Sequence, residues 1–243
     1  MIVLEVKNLI KRFDGVHALD DLSLGIEKGK ITGIVGPNGS GKTTLINVLS
    51  GMFVFNKGTI IVSSEKLKKI RPYDFSYLGM TRTFQDVRLF NQMTVLDNIL
   101  VVLTKRNVMG SLFERHNKYH LQKAEEILET IGLLEKKNQL AINLSYGQRK
   151  LLEIGRALVM DSEIYLLDEP FSGLFPEMVK TVSGIVKDLK KKGKTIILIE
   201  HNMNLIRELC DYLFVMDSGK LLTEGKPDKV LEKKEVIEAY LGE

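Results

Sequence analysis

Residues 31–43 read ITGIVGPNGSGKT, an apolar run followed by a glycine-rich stretch that ends in lysine and threonine. Residues 36–43 match the pattern G-x-x-x-x-G-K-[S/T] at every position. The apolar run predicts a buried strand over Ile31–Val35, and the residues after the glycines predict a helix from Lys42 to about Leu49. A phosphate-binding loop requires a strand, a glycine turn and a helix in this order, whereas a chance glycine turn needs neither flank.

Each residue type in the loop has a role in holding phosphate. Glycines let the chain turn tightly so that successive N–H groups face one anion, and the N-terminus of the following helix adds partial positive charge. Lys42 supplies a full charge to the β- and γ-phosphates, and the Thr43 hydroxyl can ligate Mg²⁺. The sequence therefore predicts a nucleotide site, and we assign to it Gly36, Pro37, Asn38, Gly39, Ser40, Gly41, Lys42, Thr43 and the adjacent Thr44.

A second apolar run, Ile164–Leu167, predicts another strand, and two carboxylates follow it directly. Asp168 stands at the strand end, where the aspartate of P-loop NTPases holds the Mg²⁺ shell. Glu169 comes next, where a carboxylate can polarise an attacking water. A strand that runs into a polar turn explains any single Asp-Glu pair, but the phosphate-binding loop upstream favours the catalytic interpretation.

Gln85 and His201 are two further polar residues at predicted strand ends. Gln85 follows the pair Thr83-Phe84, and its amide can reach a metal ion or water. His201 follows the predicted strand Thr195–Ile199, at the sheet edge where ligands bind in α/β folds. Either residue alone would be an ordinary loop residue. Their order relative to the two motifs makes both catalytic candidates, with Gln85 also a metal candidate.

The rest of the chain indicates an α/β protein. Its 243 residues are 44% hydrophobic and 27% charged, with a net charge of +4 that permits anionic partners without requiring nucleic acid. Strands alternating with helices predict a mostly parallel sheet in residues 1–86 and 160–243, and residues 87–159 form a predicted helical insertion. The single cysteine excludes an internal disulfide. We recognise no signal peptide and no apolar run of membrane-spanning length, so another chain is expected to supply any membrane span.

Residues 144–148 read LSYGQ and complete a set of motifs in a fixed order. With them the chain resembles the nucleotide-binding subunits of ATP-binding-cassette (ABC) transporters, from about Leu4 to Gly219. That family carries an aromatic residue, the phosphate-binding loop, a glutamine loop, a signature sequence, the Asp-Glu strand, a D-loop and a switch histidine. The matching segments here are Phe13, Gly36–Thr43, Gln85, Leu144–Gln148, Ile164–Glu169, Ser172–Phe175 and His201.

The resemblance implies a P-loop NTPase (RecA-like) fold with a mostly parallel sheet core, an N-terminal antiparallel β subdomain and an inserted α-helical subdomain. It also implies ATP hydrolysis, with ATP and Mg²⁺ as cofactors. Under it Phe13 stacks on adenine, Gln85 senses metal and water, Glu169 is the general base and His201 contacts the γ-phosphate.

The resemblance further implies that the signature acts in trans, on nucleotide held by a second ABC ATPase subunit in an ATP-sandwiched homo- or heterodimer. Ser145, Gly147 and Gln148 are the signature residues in question, and a helix N-terminus at this point would favour an anion. Transmembrane permease subunits are the other expected partners, with no nucleic acid. The expected location is the cytoplasmic face of the cell membrane, peripheral through those subunits.

Two residues depart from the family pattern. Tyr146 stands in the signature where glycine is usual, which is tolerable if its side chain points away from phosphate. Phe175 stands in the D-loop where many cassettes have aspartate, which puts a polar contact across the dimer in doubt.

Within the family, several stretches resemble the ATPase subunits of branched-chain amino acid importers, although lipopolysaccharide-export ATPases share much of the pattern. The stretches are Arg82–Gln85, Arg88–Phe90, Met93–Val95, the signature and the tail Val236–Gly242. Soluble cassettes that remodel ribosomes or nucleic acid are a further alternative, but they usually carry two cassettes or a long coiled coil. A scaffold that only binds nucleotide is disfavoured by the presence of Glu169 and His201.

The segment just after Gln85 is the predicted permease contact. The residues that follow combine apolar bulk with a charge where the chain leaves the sheet, and they are Val87, Arg88, Leu89, Phe90 and Met93. We expect part of this segment, with neighbouring residues of the helical insertion, to form a groove that accepts a short permease helix. Alternatively, Leu89 and Phe90 simply pack under the helical insertion.

Overall fold

The computed structural model describes residues 1–103 and 118–241, so Gly242 of the tail lies outside it. The chain divides into two compact units. The first, here the sheet unit, consists of Met1–Arg82, Glu163–Glu169 and the described part of Val186–Glu243. The second, here the helical unit, consists of the described parts of Thr83–Ser162 together with Pro170–Ile185.

An antiparallel sheet opens the sheet unit. Its first two strands are joined by the two-residue turn Asp14-Gly15, and both turn residues have positive φ, as a tight hairpin turn requires. Phe13 and Val16 pair directly across this turn. The strands lie in the order β2-β1-β4-β5 and are β1 (Ile2–Phe13), β2 (Val16–Glu27), β4 (Lys57–Val62) and β5 (Glu65–Leu67).

A second sheet lies in the order β10-β9-β3-β8-β7-β6 and is parallel except for β10. Its three central strands are buried at every position, as expected where both faces are covered. The mostly parallel core and the N-terminal antiparallel sheet confirm the predicted fold. The strands are β3 (Ile31–Val35), β6 (Met80–Arg82), β7 (Ile164–Asp168), β8 (Thr195–Ile199), β9 (Tyr212–Asp217) and β10 (Lys220–Gly225).

The helices of the sheet unit include the one that follows the phosphate-binding loop. Its residues Leu45, Ile46 and Leu49 are fully buried in an apolar cluster that also takes in Leu4 of the antiparallel sheet and Ile199 of the parallel one. This helix therefore joins the two sheets into one core. The helices are α1 (Lys42–Leu49), α2 (Asp74–Tyr77), α7 (Met203–Leu209), α8 (Pro227–Val230) and α9 (Lys234–Leu241).

Close helix packing organises the helical unit. At Gly155 a Cβ atom would lie 2.7 Å from Ile131 Cδ1 and 3.3 Å from Ile99 Cδ1, so a larger residue there would require these side-chain tips to shift. The helices are α3 (Val95–Leu103), α4 (Lys118–Thr130) and α5 (Tyr146–Val159), and α6 spans Pro176–Lys191. No helix among the described residues has the length and apolarity needed to cross a membrane.

One sequence prediction about the C-terminus is wrong. The sequence near Asp228–Tyr240 predicts one terminal amphipathic helix, but the chain forms α8 and α9 with a break between them. Val230 and Val236 are both buried. Six residues apart on one continuous helix, they would point about 120° apart around its axis. The break lets both face the core.

Candidate nucleotide site

The loop between β3 and α1 is shaped by two crowded glycines. A Cβ atom at Gly36 would lie 2.1 Å from the carbonyl oxygen of Met216 and 2.7 Å from Ser40 Oγ. Gly41 caps α1 with a φ of 99°, and a Cβ there would lie 2.6 Å from the carbonyl oxygen of Ala18. Only glycine fits either position, so neighbouring strands fix the loop at both ends.

Lys42 is folded back over this loop. Its side chain is almost fully buried, at 6% exposure for the residue. Nζ donates to the carbonyl oxygens of Gly36 (2.7 Å) and Pro37 (2.8 Å) and to Ser40 Oγ (3.2 Å). These acceptors satisfy the ammonium group, which would otherwise be costly to bury. A phosphate placed at the loop would compete with them for Nζ.

The remaining loop residues differ in exposure. Asn38, Gly39 and Thr43 are exposed and Thr44 is half-buried, whereas Ser40 is buried. The main chain of Ser40 accepts a hydrogen bond from the N–H of Gly219, at 3.1 Å.

Asp168 and Glu169 follow β7 with different conformations. Asp168 is buried at the strand end. Glu169 has a φ of 46°, in the left-handed region that costs a non-glycine residue about 1–2 kcal/mol, and its N–H donates to the carbonyl of Ile199 at 3.0 Å. His201 Nε2 lies 3.1 Å from Glu169 Oε1. The strained turn therefore directs the predicted base toward the predicted switch histidine.

Arg82 is a site residue that the sequence analysis missed. Its Nη2 donates to Asp168 Oδ2 at 3.0 Å, and the two side chains are 5% and 2% exposed. Its Nη1 donates to Asn47 Oδ1 at 2.7 Å and Ser50 Oγ at 2.8 Å. The stretch Arg82–Gln85 contributed to the family resemblance, but it gave no role to Arg82, because only the pairing of β6 with β7 brings this side chain beside Asp168.

The oxygen ligands that the sheet unit offers suit Mg²⁺ bound together with nucleotide better than a metal ion held by protein side chains alone. Among the described residues, no group of three or more His, Cys, Asp or Glu residues could hold a metal ion. Thr43 offers a hydroxyl oxygen and Asp168 a carboxylate. Mg²⁺ in nucleotide sites takes only one or two protein oxygens and completes its shell with phosphate and water. The residues present are therefore suited to Mg²⁺ arriving with nucleotide.

Phe13 has an aromatic neighbour. Its ring meets Phe53 edge to face, with ring centroids 5.2 Å apart and an interplanar angle of 76°. Lys11 Nζ lies 4.4 Å from the centre of the Phe13 ring. Both phenylalanines are partly exposed, so this pair offers an accessible aromatic surface of the kind an adenine stacks on. Phe53 was not predicted, since it follows α1 without any recognisable motif.

In the helical unit, the signature residues begin α5. Ser145 is the N-cap: its Oγ accepts from the N–H of Gln148 at 3.3 Å, and Gln148 Oε1 accepts from the N–H of Ser145 at 3.1 Å. This reciprocal capping box holds both side chains against the helix end. Gly147 is buried, and a Cβ there would lie 2.6 Å from Met178 Sδ.

The two departures from the family pattern lie in the helical unit as well. The Tyr146 ring packs against Gly173, where an added Cβ would lie 2.8 Å from Tyr146 Cε1. Phe175 is 72% exposed.

Gln85 lies in a segment whose main chain is held by buried side chains of α5. Lys150 is fully buried and donates through Nζ to the carbonyl oxygens of Phe84 and Gln85, both at 3.0 Å. Glu153 Oε1 accepts from the N–H groups of Phe84 (3.2 Å) and Arg88 (3.4 Å). Irregular backbone must find partners when buried, and here charged side chains provide them.

Side chains also hold the next residues of this segment. Asn98 is buried on α3 and bonds both the N–H and the carbonyl of Phe90 at 3.0 Å. Arg156 donates to the carbonyl of Arg88, and its guanidinium lies 5.2 Å from the Phe90 ring centre. The Arg88 guanidinium lies over the ring of Phe84, at 4.0 Å. We call residues 84–90 with these partners the held segment.

Burial perturbs two charged groups of the held segment. Desolvation raises the pKa of the Glu153 carboxyl, although the nearby Lys150 opposes the shift. Desolvation likewise lowers the pKa of Arg156, opposed by Glu153. Glu153 Oε2 and Arg156 Nε are buried without a hydrogen-bond partner in the part of the chain that the structure describes. The network is therefore tight but incompletely satisfied.

The structure thus places the predicted residues in two groups. The sheet unit contains the phosphate-binding loop, Asp168, Glu169, His201 and Phe13, and within it His201 lies 3.1 Å from Glu169. The helical unit contains Gln85, Ser145, Gly147 and Gln148. The assigned roles of all these residues stay predictions.

The fold and these motifs together are those of an ATP-binding cassette. Residues 19–172 match the family model described as ABC transporter. The chain therefore belongs to the ABC transporter family, as one of its ATPase domains.

Similar proteins match this chain over nearly its full length. It is 38% identical over 250 residues to the high-affinity branched-chain amino acid transport ATP-binding protein LivG of Escherichia coli K12, covering 99% of this chain and 98% of that protein. It is 36% identical to a probable LivG of Archaeoglobus fulgidus, covering 100% and 96%. Among solved structures, a nucleotide-free ATP-binding cassette from an ABC transporter superposes with a TM-score of 0.88 at 35% identity, over the whole of both chains.

Proposed function

We propose that this chain is the ATP-hydrolysing subunit of an ABC importer for branched-chain amino acids. The observation that carries the proposal is the end-to-end match to proteins named LivG from a bacterium and an archaeon. These matches favour the importer over the lipid exporter, the soluble remodelling cassette and the nucleotide-binding scaffold.

The sheet unit supplies the chemistry in this proposal. Lys42 leaves its loop carbonyls to bind the β- and γ-phosphates, while Phe13 stacks on adenine. Thr43 and Asp168 would hold Mg²⁺, which neutralises phosphate charge when bound. Glu169 polarises the attacking water, and His201, already 3.1 Å from Glu169, contacts the γ-phosphate.

The helical unit contributes the second half of the site. Cassettes of this family dimerise and work with transmembrane permease components. We assign the N-terminus of α5, capped by Ser145, to the phosphate held by a second subunit. The dimer would be a homodimer or a heterodimer, held by sandwiched ATP. Through its permeases the protein would sit on the cytoplasmic face of the membrane.

The held segment is the proposed permease contact. Phe90 is 48% exposed although its main chain is fixed by Asn98. Arg88 is exposed as well, while Leu89 is half-buried. An exposed apolar side chain beside a cation on a rigid backbone suits the docking of a short amphipathic helix. Gln85, at the start of the same segment, would transmit the state of the nucleotide to it.

The test is transport by the reconstituted assembly. The chain is expressed with its permease and receptor partners, placed in proteoliposomes, and assayed for ATP-driven uptake of leucine, isoleucine and valine. Uptake of all three is expected. ATP hydrolysis without uptake of any of them, while another solute is moved, contradicts the substrate assignment.

Arg88→Glu in the same assembly tests the docking surface. Assembly or uptake should fall about tenfold or more, because the reversed charge faces the permease, while nucleotide binding by the isolated subunit stays unchanged. Lys229→Glu, a charge reversal on the exposed face of α8, is the matched control and should transport normally. Unchanged assembly and uptake in Arg88→Glu place the docking surface elsewhere.

A further inference from the structure

Arg82 connects two parts of the sheet unit that the proposed function requires to act together. Its guanidinium reaches Asp168 on one side and helix α1 on the other, through Asn47 and Ser50. Both ends of the connection are hydrogen-bonded, and the guanidinium is almost completely removed from solvent. A planar fork of several N–H donors is what allows one side chain to serve three acceptors at once.

The two acceptors of Arg82 at α1 lie on the same helix face as Thr43. Asn47 lies four residues after Thr43, and Ser50 lies seven after it, so all three share one face of the helix. Thr43 is the proposed hydroxyl donor to Mg²⁺ and Asp168 the proposed carboxylate donor. Arg82 therefore bonds the face of α1 that carries Thr43, one proposed Mg²⁺ ligand. It also bonds Asp168, the other proposed ligand, directly.

The anchor on α1 is itself fixed. Ser50 Oγ accepts from Arg82 and donates to the carbonyl of Ile46 at 2.8 Å. On the strand side, Arg82 pairs with Leu166 in the parallel ladder between β6 and β7, two residues before Asp168. Neither end of Arg82 can shift without breaking bonds to the core.

We propose that Arg82 is a positioning residue that sets the carboxylate of Asp168 relative to the Thr43 face of α1, and so makes nucleotide binding depend on Mg²⁺. The inference rests on the proposed function in that Thr43 and Asp168 are the metal donors. Arg82 touches neither nucleotide nor metal in this role. It takes Asp168 Oδ2, which fixes the rotation of the carboxylate.

The experiment measures the affinity of the purified chain for AMP-PNP by calorimetry, in Mg²⁺ and in EDTA. The ratio of the two affinities is the readout. In Arg82→Met the ratio should fall about tenfold, as for loss of a group that orients a metal ligand, with the EDTA affinity unchanged. Arg82→Lys should recover part of the ratio, because one ammonium nitrogen keeps the positive charge beside Asp168 but replaces the two Nη atoms that bond Asp168 and α1 separately.

Arg71→Met is the matched control, since it removes the same side chain from a surface pair with Asp74 and should leave the ratio unchanged. An Arg82→Met variant that keeps the full ratio overturns the proposal. An equal loss of affinity in Mg²⁺ and EDTA also overturns it, because that pattern indicates general damage to the fold.

Two further variants separate the possible failures. In Asp168→Asn the ratio of the affinity in Mg²⁺ to the affinity in EDTA should fall as well. An unchanged ratio in this variant means that the metal roles in the proposed function are wrong. A ratio that falls in Asp168→Asn but not in Arg82→Met refutes the role of Arg82 alone. Should Arg82→Met not fold, Asn47→Leu removes one anchor and leaves Asp168 paired. A folded Asn47→Leu variant is expected to lose the ratio severalfold, and an unchanged ratio rejects the positioning role.

Discussion

Lys42 and Lys150 are two buried lysines with the same local chemistry and different expected fates. Each donates through Nζ to a pair of backbone carbonyls, those of Gly36 and Pro37 for Lys42 and those of Phe84 and Gln85 for Lys150. Lys42 bonds its own loop, five and six residues back, beside the exposed Asn38. Lys150 bonds residues 65 and 66 positions back and has no exposed surface.

The difference shows how one interaction can serve binding in one place and architecture in another. The carbonyls bonded by Lys42 belong to the loop that is the predicted anion site, so an incoming phosphate would replace them as partners of Nζ. Lys150 bonds the main-chain carbonyls of Phe84 and Gln85, to which no ligand is assigned, so we expect its Nζ to keep both bonds when nucleotide binds. We therefore expect Lys42 to exchange its hydrogen-bond partners when nucleotide binds, and Lys150 to keep its own.

The strongest test of this division is Glu169→Gln, which confines the chemical step to the sheet unit. Turnover should fall about 10²–10⁴-fold through loss of the general base, while ATP affinity is retained. The measurement is steady-state ATPase activity together with equilibrium nucleotide binding. Near-normal turnover would show that Glu169 is not the general base, and the chemical step would then not be assigned to this residue of the sheet unit.

The second test is Lys42→Met. Nucleotide affinity should fall about 10–100-fold, since a charged hydrogen bond is worth about 1.5–3 kcal/mol. The free energy of unfolding in urea should change less than the free energy of nucleotide binding, because the freed carbonyls adjoin exposed loop residues and can accept hydrogen bonds from water. An affinity within threefold of the parent, with a large loss of stability, would make Lys42 an architectural residue like Lys150.

The third test is Lys150→Met, for which the opposite profile is expected. Unfolding should cost about 1–3 kcal/mol less, because two main-chain carbonyls lose their buried donor, and nucleotide affinity should stay within about threefold. Urea denaturation and nucleotide titration of the same preparation provide both numbers. Lys123→Met, on α4 where the side chain is partly exposed, serves as the control and should change neither.

The smallest expected effect concerns Glu153→Gln, which keeps the acceptor for Phe84 and Arg88 but removes the buried charge. Because burial raises the pKa of Glu153 in the folded state, its contribution to stability is fully present below the unfolded pKa of about 4.5 and is lost as pH rises through the folded pKa. Relative to the parent, Glu153→Gln should therefore gain stability between pH 5 and pH 8. Urea midpoints at both pH values measure this gain, and a difference that does not change with pH contradicts the assignment.

Much of the sheet unit could be predicted because its signals are local. The strands β3 and β8 match their predicted bounds, since each is an uninterrupted apolar run. The site motifs were visible for the same reason, as each is a short pattern at a strand end. The division into residues 1–86, 87–159 and 160–243 stays a prediction, although the observed helical unit also takes in Pro170–Ile185.

What escaped prediction depends on residues distant in the chain. Arg82 lies beside Asp168 only because β6 pairs with β7, and Phe53 is a site candidate only because it packs against Phe13. The helix Val95–Leu103 was not predicted because Asp97 and Asn98 interrupt its apolar run. The structure explains why a polar residue such as Asn98 lies within this helix: its buried side chain bonds the main chain of Phe90.

The held segment has a consequence for how such proteins diverge. Its main-chain groups are bonded by side chains from α3 and α5, and the outward-facing side chains of Asp86, Arg88 and Phe90 are not needed for that. Substitutions at these outward positions can therefore accumulate with little cost to the fold. With the held segment as the proposed permease contact, a gene duplicate could acquire a new membrane partner by changing a few exposed residues while inheriting the same backbone shape.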